Sequence, residues 1–395
     1  MIKFLPLKEV CEKIVDCPHE TPNWLKNGIP VIRNFNLIDG RIDFSDGYYV
    51  DEETYIKRTK REIPREGDIV FSREAPIGNC AMIPKNFKCC LGQRIVLLRA
   101  NQKICSSEYL LTVLLSNYVK KQIEQVSKRG SIVSNFNIGD LGNLIIPIME
   151  NQDKIAKFST TIMNKIIINN KLLKEMESIV KTMYDYWFLQ YEFPNEEGKP
   201  YKSSGGKMVY NEELKRNIPK NWKVSTIGKI IIEREKSPIQ VGQAKDKTGE
   251  YPFFTSGSEI YRVNNYLTEG RNCYLSTGGK GYVQYYVGKS SYSTDTWVIS
   301  GKNNLEDYLY LFIKSIENML DIKYFAGTGL QHLQKDLFKS THIVIPNEQV
   351  LNKFNKISNI IFNKMSSIYK ENKELENTRD ELLPLLMNGQ VGFKS

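Results

Sequence analysis

The chain has 395 residues, more than a typical single domain holds, with 41% hydrophobic and 25% charged residues, the balance of a folded globular protein and not of a disordered or fibrous one. The formal net charge of +10 suits a polyanionic partner but also occurs on many proteins that bind none. No run approaches the roughly eighteen apolar residues of a membrane span, Met1–Val10 lacks the apolar core of a signal peptide, and the seven cysteines show no framework spacing, so a cytoplasmic protein with reduced thiols is expected.

In chain order, a first domain is expected over 1–147. Near its start, Cys11, Cys17 and His19 lack the paired spacing of a zinc site. The segment Thr54–Glu66 carries Lys57, Arg58, Lys60, Arg61 and Arg65 against only Glu62 and Glu66; taken alone, it reads equally as a phosphate-binding face or a solvated basic one. β-Rich runs follow at Gly67–Ser72 and Arg94–Leu97, and the apolar period from Glu108 to Val119 predicts a helix.

After Pro147, apolar residues recur at Ile155, Phe158, Ile162, Ile166, Leu173, Met176, Val180, Met183 and Trp187, in steps of three and four apart from one longer gap that Asn169 fills. This predicts a long spacer helix over 148–190 with a coiled-coil seam. Residues 191–220, rich in turn formers from Pro194 to Lys207, read as a linker. A second domain is expected over 221–346, with β-rich runs at Tyr251–Phe254, Gly270–Ser276 and Thr296–Ile299 and a helix from Asp307 to Met319.

A second long helix is expected over 347–388, its seam formed by Val350, Phe354, Ile357, Ile361, Met365, Ile368, Leu375, Leu382 and Leu386, with Asn372 and Arg379 on the stripe. Within these bounds each helix could run about 38 residues, which at about 1.5 Å per residue gives a rod roughly 57 Å long. Bare seams are unstable in water, so the two helices are expected to pair, antiparallel if the halves are pseudo-symmetric. Asn169 and Asn372 either fix the register of that pairing or face solvent.

The order of elements occurs twice. Glu108-Tyr109-Leu110 and Asp307-Tyr308-Leu309, Ser116 and Ser315, and Ile145-Ile146-Pro147 and Val344-Ile345-Pro346 match at an offset of about 200 residues, a signature of internal duplication. Ile29–Ile32 matches Tyr251–Phe254 at a larger offset, which gives the first copy about twenty extra residues before Gly67.

Catalytic motifs are poorly supported. Phe325-Ala326-Gly327-Thr328-Gly329 spells a methyltransferase glycine motif, but no Pro-Pro pair accompanies it. Gly288-Lys289-Ser290 ends like a phosphate-binding loop, yet Val283 occupies the place of its leading glycine. Glu371-Asn372-Lys373 lies within the second long helix without the Pro-Asp of a nuclease, and His19, His332 and His342 sit near no nucleophile elbow.

The order of elements, with Tyr184-Asp185-Tyr186-Trp187-Phe188, the Pro194–Lys207 junction, Ile218-Pro219-Lys220-Asn221-Trp222 and Leu382-Leu383-Pro384-Leu385-Leu386, resembles type I restriction-modification specificity subunits over essentially the whole chain. The resemblance implies an α+β protein with two globular mixed α/β target-recognition domains in pseudo-repeat, separated by two long antiparallel coiled-coil helices. It implies a non-catalytic subunit in which each domain reads half of a bipartite asymmetric DNA site. Methyltransferase subunits would dock on the helices and methylate adenine, and restriction subunits would add cleavage. S-adenosylmethionine, ATP and Mg would be bound by those partners, with no cofactor or metal in this chain.

Arg and Asn/Gln side chains match guanine and adenine edges, so Arg33, Asn34, Arg73, Gln93 and Arg94 in the first copy are candidates for base readout. Arg262, Lys280, Tyr282, Gln284 and Gln331 are the candidates in the second. Thr277-Gly278-Gly279-Lys280-Gly281 either lets backbone approach DNA or forms a plain hairpin turn. Lys57, Arg58, Lys60, Arg61, Lys128 and Arg129 are candidates for phosphate contacts. The alternatives are an autonomous DNA-modifying enzyme, which needs catalytic motifs, and a coiled-coil scaffold without DNA binding.

Overall fold

The computed structural model describes residues 2–74, 76–127, 136–244, 249–329 and 331–393. The chain divides into two compact units, Met1–Ile168 with Asn372–Ser395, and Asn169–Glu371, so the boundary falls within both long helices.

In the first unit an antiparallel sheet runs in the order Cys11–Asp16, Ile95–Ala100, Ile69–Ser72, Cys80–Met82. Successive side chains of a strand point to opposite faces. Val96 and Leu98 enter one core with Phe71, Tyr109 and Leu110, whereas Ile95 and Leu97 enter another with Val70, Ile32 and Leu91. Because both faces are covered, these strands read as continuous apolar runs without alternation. Each such fully buried aliphatic side chain contributes about 1.5–3 kcal/mol.

One covering layer contains the helix Ser107–Leu115, started by Ser106, whose hydroxyl accepts the Tyr109 N–H at 3.2 Å. The other contains a small sheet, Tyr48–Val50, Ile29–Ile32 and Cys90–Leu91, in which the last pair is parallel, with Ile32 opposite Leu91. Lys3–Pro6 pairs antiparallel with Ile145–Ile148.

The second unit repeats this plan. Its larger sheet runs Ile231–Glu233, Thr296–Gly301, Arg271–Ser276, Val283–Val287; its smaller one runs Ile260–Val263, Tyr251–Phe254, Ser291–Tyr292, again with a parallel pair, Phe254 opposite Tyr292. Lys223–Thr226 pairs with His342–Ile345. Local bonds recur as well. Tyr109 donates its hydroxyl proton to the Pro147 carbonyl at 2.7 Å, and Tyr308 does so to that of Val344; Ser116 and Ser315 each bond the carbonyl three residues earlier, at 2.6 and 2.7 Å. The duplication legible in the sequence is therefore a duplicated fold.

The first long helix spans Gln152–Tyr184 and continues as a π turn, Asp185–Leu189, whose wider winding lets the consecutive Trp187 and Phe188 both be buried. The second spans Glu348–Met387. In the second unit Asn169 donates to Glu371 at 3.0 Å while Phe188 packs edge-on against Phe354 at 4.8 Å. In the first unit Ile155 and Ala156 share a core with Leu383, Leu386 and Met387. Within each unit the helix segments therefore run antiparallel.

Asn169 and Asn372 are both buried, so the solvent-facing alternative for them does not hold. One seam position is corrected. Ile357 is 43% exposed, and Ser358 is fully buried in its stead, with Oγ 2.6 Å from the Asp307 carboxylate.

Residues 191–220 do not form a linker. Phe193 stacks on Tyr201 at 4.5 Å and on Trp222 at 5.0 Å, and Met208–Asn211 pairs with Arg216–Pro219 as a hairpin. Its glycines and prolines shape turns around an aromatic cluster continuous with the core of the second unit. All seven cysteines are buried free thiols. Among the described residues, no helix is long and apolar enough to cross a membrane.

Candidate nucleic-acid interface

In the first unit the strand Ile29–Ile32 delivers Arg33 to the start of a 3-10 turn, Asn34–Asn36, and the loop beyond it. The guanidinium carbon lies 5.5, 5.2 and 4.8 Å from the ring centroids of Trp24, Phe35 and Tyr48. The rings themselves meet edge-on, Trp24–Tyr48 at 4.8 Å and Phe35–Tyr48 at 5.9 Å. Asn36, 1% exposed, holds the loop: its Oδ1 accepts the Arg33 N–H at 2.9 Å, and its Nδ2 donates to the carbonyls of Asp43 and Asp46 at 2.9 and 3.2 Å. Asn34 is half-buried, its Oδ1 accepting the Phe35 N–H at 3.0 Å.

The other candidates of this unit are tied into the fold. Gln93 donates its amide to the His19 carbonyl and, at 2.9 Å, to the Thr21 hydroxyl. Arg94 is exposed, with a positive φ of 70°, and pairs with Glu74 at 2.7 Å. Arg73 is a correction. It is 7% exposed, and its nearest charge is Asp16 at 3.6 Å, so it braces the interior and presents no guanidinium to a groove.

Arg58 corrects the phosphate set. It ends the helix Glu52–Arg58, is buried, and donates to the carbonyls of Leu91 at 2.7 Å, Glu20 at 2.8 Å and Pro18 at 3.3 Å. Lys57, Lys60 and Arg61 are exposed; Lys57 pairs with Glu53 at 2.7 Å and Arg61 reaches the Asp16 carbonyl at 3.4 Å. Glu62 anchors the segment through Lys13 and Arg99, whose hydrogen bonds hold its carboxyl down at about 2. Lys128 and Arg129 lie outside the described residues.

In the second unit, Gly279 donates its N–H to the Gln331 carbonyl at 2.9 Å, and Gly278 bridges to His332. The glycine loop thereby stands beside Gln331 and next to exposed Lys280, residues about fifty apart in sequence. A Cβ at Gly281 would meet that of Leu320 at 2.7 Å, so glycine there permits a close approach between loop and helix. Tyr282 is half-buried with Lys314 5.8 Å from its ring; burial pushes its hydroxyl up, and the Lys314 cation opposes the shift. Gln284 donates to the Gly257 carbonyl at 2.6 Å, and Arg262 to those of Gly249, at 2.7 Å, and Glu250.

Phe325–Gly329 leads from one two-residue strand, Phe325–Ala326, towards another, His332–Leu333, and not from strand to helix as a cofactor-binding glycine turn does. Sequence reasoning missed the rings around Arg33. The signal was there as aromatic residues interleaved with Arg33 and Asn34, but Trp24 and Tyr48 are brought to them only by the fold.

The family model described as type I restriction modification DNA specificity domain matches residues 2–178 and again 219–384. The chain is 24% identical over 364 residues to the type I restriction enzyme MjaIX specificity subunit of Methanocaldococcus jannaschii, covering 86% of this chain and 81% of that protein. It is 21% identical over 406 residues to the HindI specificity subunit of Haemophilus influenzae, covering 83% and 87%. The crystal structure of the type I restriction-modification S subunit from M. genitalium shares the fold at a TM-score of 0.56 and 16% identity, over 97% of this chain and 95% of that one. With the family model matching most of the chain in two copies, this protein belongs to the type I restriction-modification DNA specificity domain family.

Proposed function

We propose that this chain is the non-catalytic, DNA-reading specificity subunit of a type I restriction-modification complex, each unit reading one part of a bipartite asymmetric site. The observation that carries this reading is a fold present twice with different polar side chains at matching places. Aligning the parallel strand pairs puts Arg33 of the first unit at Thr255 of the second, whose hydroxyl donates to the Glu259 carbonyl at 2.9 Å. Two like scaffolds with unlike side chains read unlike half-sites.

Exposed Lys57, Lys60 and Arg61 supply phosphate contacts, which give affinity without sequence information. Ile168, Ile179 and Ile360, exposed at 63%, 58% and 71% on the long helices, suit docking of methyltransferase subunits. S-adenosylmethionine, ATP and Mg belong to those partners and to the restriction subunits. The test is an adenine-methylation map of the source strain with and without this coding sequence. Loss of one two-part motif with a fixed gap is expected; if co-expression with the methyltransferase yields no motif, the reading fails.

A further inference from the structure

Several polar side chains near the candidate surface have partners within the fold. Arg73 faces Asp16, Arg94 faces Glu74, Gln93 and Gln284 hold backbone carbonyls, and Arg262 holds two. Arg33 differs: it is half-buried among three rings and makes no ion pair among the described residues.

The attraction of a guanidinium to aromatic rings pairs its N–H donors with no hydrogen-bond acceptor, which leaves the fork available for bidentate bonding. The stem is fixed too. A Cβ at Gly92 would lie 2.9 Å from Arg33 Cγ and 2.8 Å from the Ile32 carbonyl oxygen, so the backbone of Gly92 presses directly on it. Asn36 fixes the main chain from the other side. A side chain immobilised before binding loses little entropy on contact.

We infer that Arg33 is a specificity-determining residue that reads a guanine in the half-site of the first unit, its fork bonding the O6 and N7 edge while Trp24, Phe35 and Tyr48 hold it ready. The chemistry follows from donor geometry: guanine alone among the bases offers two adjacent acceptors in the major groove. The second unit carries Thr255 at this place, its hydroxyl turned inward, so the inference applies to one half-site only. It rests on the DNA-reading function proposed above.

The test co-expresses the chain with its methyltransferase partner in a host lacking adenine methylation and maps the methylated motif. Arg33→Ala and Arg33→Gln are each compared with the unaltered protein. Expected is a loss of about tenfold to a hundredfold in preference at one G·C pair of one half-site, with the other half unchanged. Arg33→Gln keeps a planar bidentate group suited to adenine, so preference there is expected to shift towards A·T.

If Arg33→Ala abolishes methylation altogether, Arg33→Gln decides. A motif unchanged in both variants overturns the inference, and so does uniform weakening at every site with the motif intact, the mark of a phosphate contact. Absence of any motif with the unaltered protein refutes the DNA-reading function itself, a distinguishable result.

Discussion

Asp307 is 2% exposed and accepts three hydrogen bonds, from Arg271 Nη1 at 2.6 Å, the Tyr285 hydroxyl at 2.5 Å and the Ser358 hydroxyl at 2.6 Å. Arg271 in turn donates to Asn363 at 2.7 Å, so the network ties the larger sheet of the second unit to the second long helix. Asp307→Ala leaves the Arg271 cation, only 18% exposed, without its counter-charge, and two hydroxyls without their acceptor. Removing one partner of such a pair costs about 3–5 kcal/mol. Three of the four tryptophans, Trp187, Trp222 and Trp297, lie in the core of this unit, so urea unfolding followed by tryptophan fluorescence reports it. The double variant Asp307→Ala/Arg271→Met removes both charges and is expected to recover about 1–3 kcal/mol relative to additivity. A loss below about 1 kcal/mol in the single variant, or strict additivity in the double, refutes the network as an anchor of the helix.

Glu62 is held at about 2 by Lys13 and Arg99, below its ordinary value of 4.5. Its contribution is therefore complete above pH 4.5 and lost as pH falls towards 2; Glu62→Gln should flatten the acid limb of stability of the first unit in that window, as read by hydrogen exchange. Arg58→Ala should destabilise the first unit by about 2–4 kcal/mol while leaving the salt dependence of DNA binding unchanged, whereas Lys60→Ala and Arg61→Ala should each lower the slope against log salt by about 1, measured by titration with the target duplex. Burial pushes the thiols of Cys11, Cys80, Cys89 and Cys105 up to about 12 and that of Cys90 to about 11; a thiol-specific chromogenic reagent at pH 8 should react negligibly with the folded chain and with all seven cysteines in denaturant.

The sequence by itself determined the duplication and the long helices. A repeated core preserves the order of its apolar runs, and a helix seam writes its period into the chain, as in the spacing from Ile155 to Trp187. The exchange of Ile357 for Ser358 escaped that logic, because a serine in a seam is legible only once its acceptor, Asp307, is seen on another element. Residues 191–220 escaped it for a similar reason: their turn formers announce loops, while Phe193, Tyr201 and Trp222 become a stacked core only when the hairpin brings them together. For the candidate interface, composition selected polar side chains of the right chemistry but not their partners. Only the tertiary structure separates Arg58, spent on backbone carbonyls, and Arg73, buried beside Asp16, from Arg33, set among three rings, because hydrogen bonds and ring contacts join residues that chain order keeps apart.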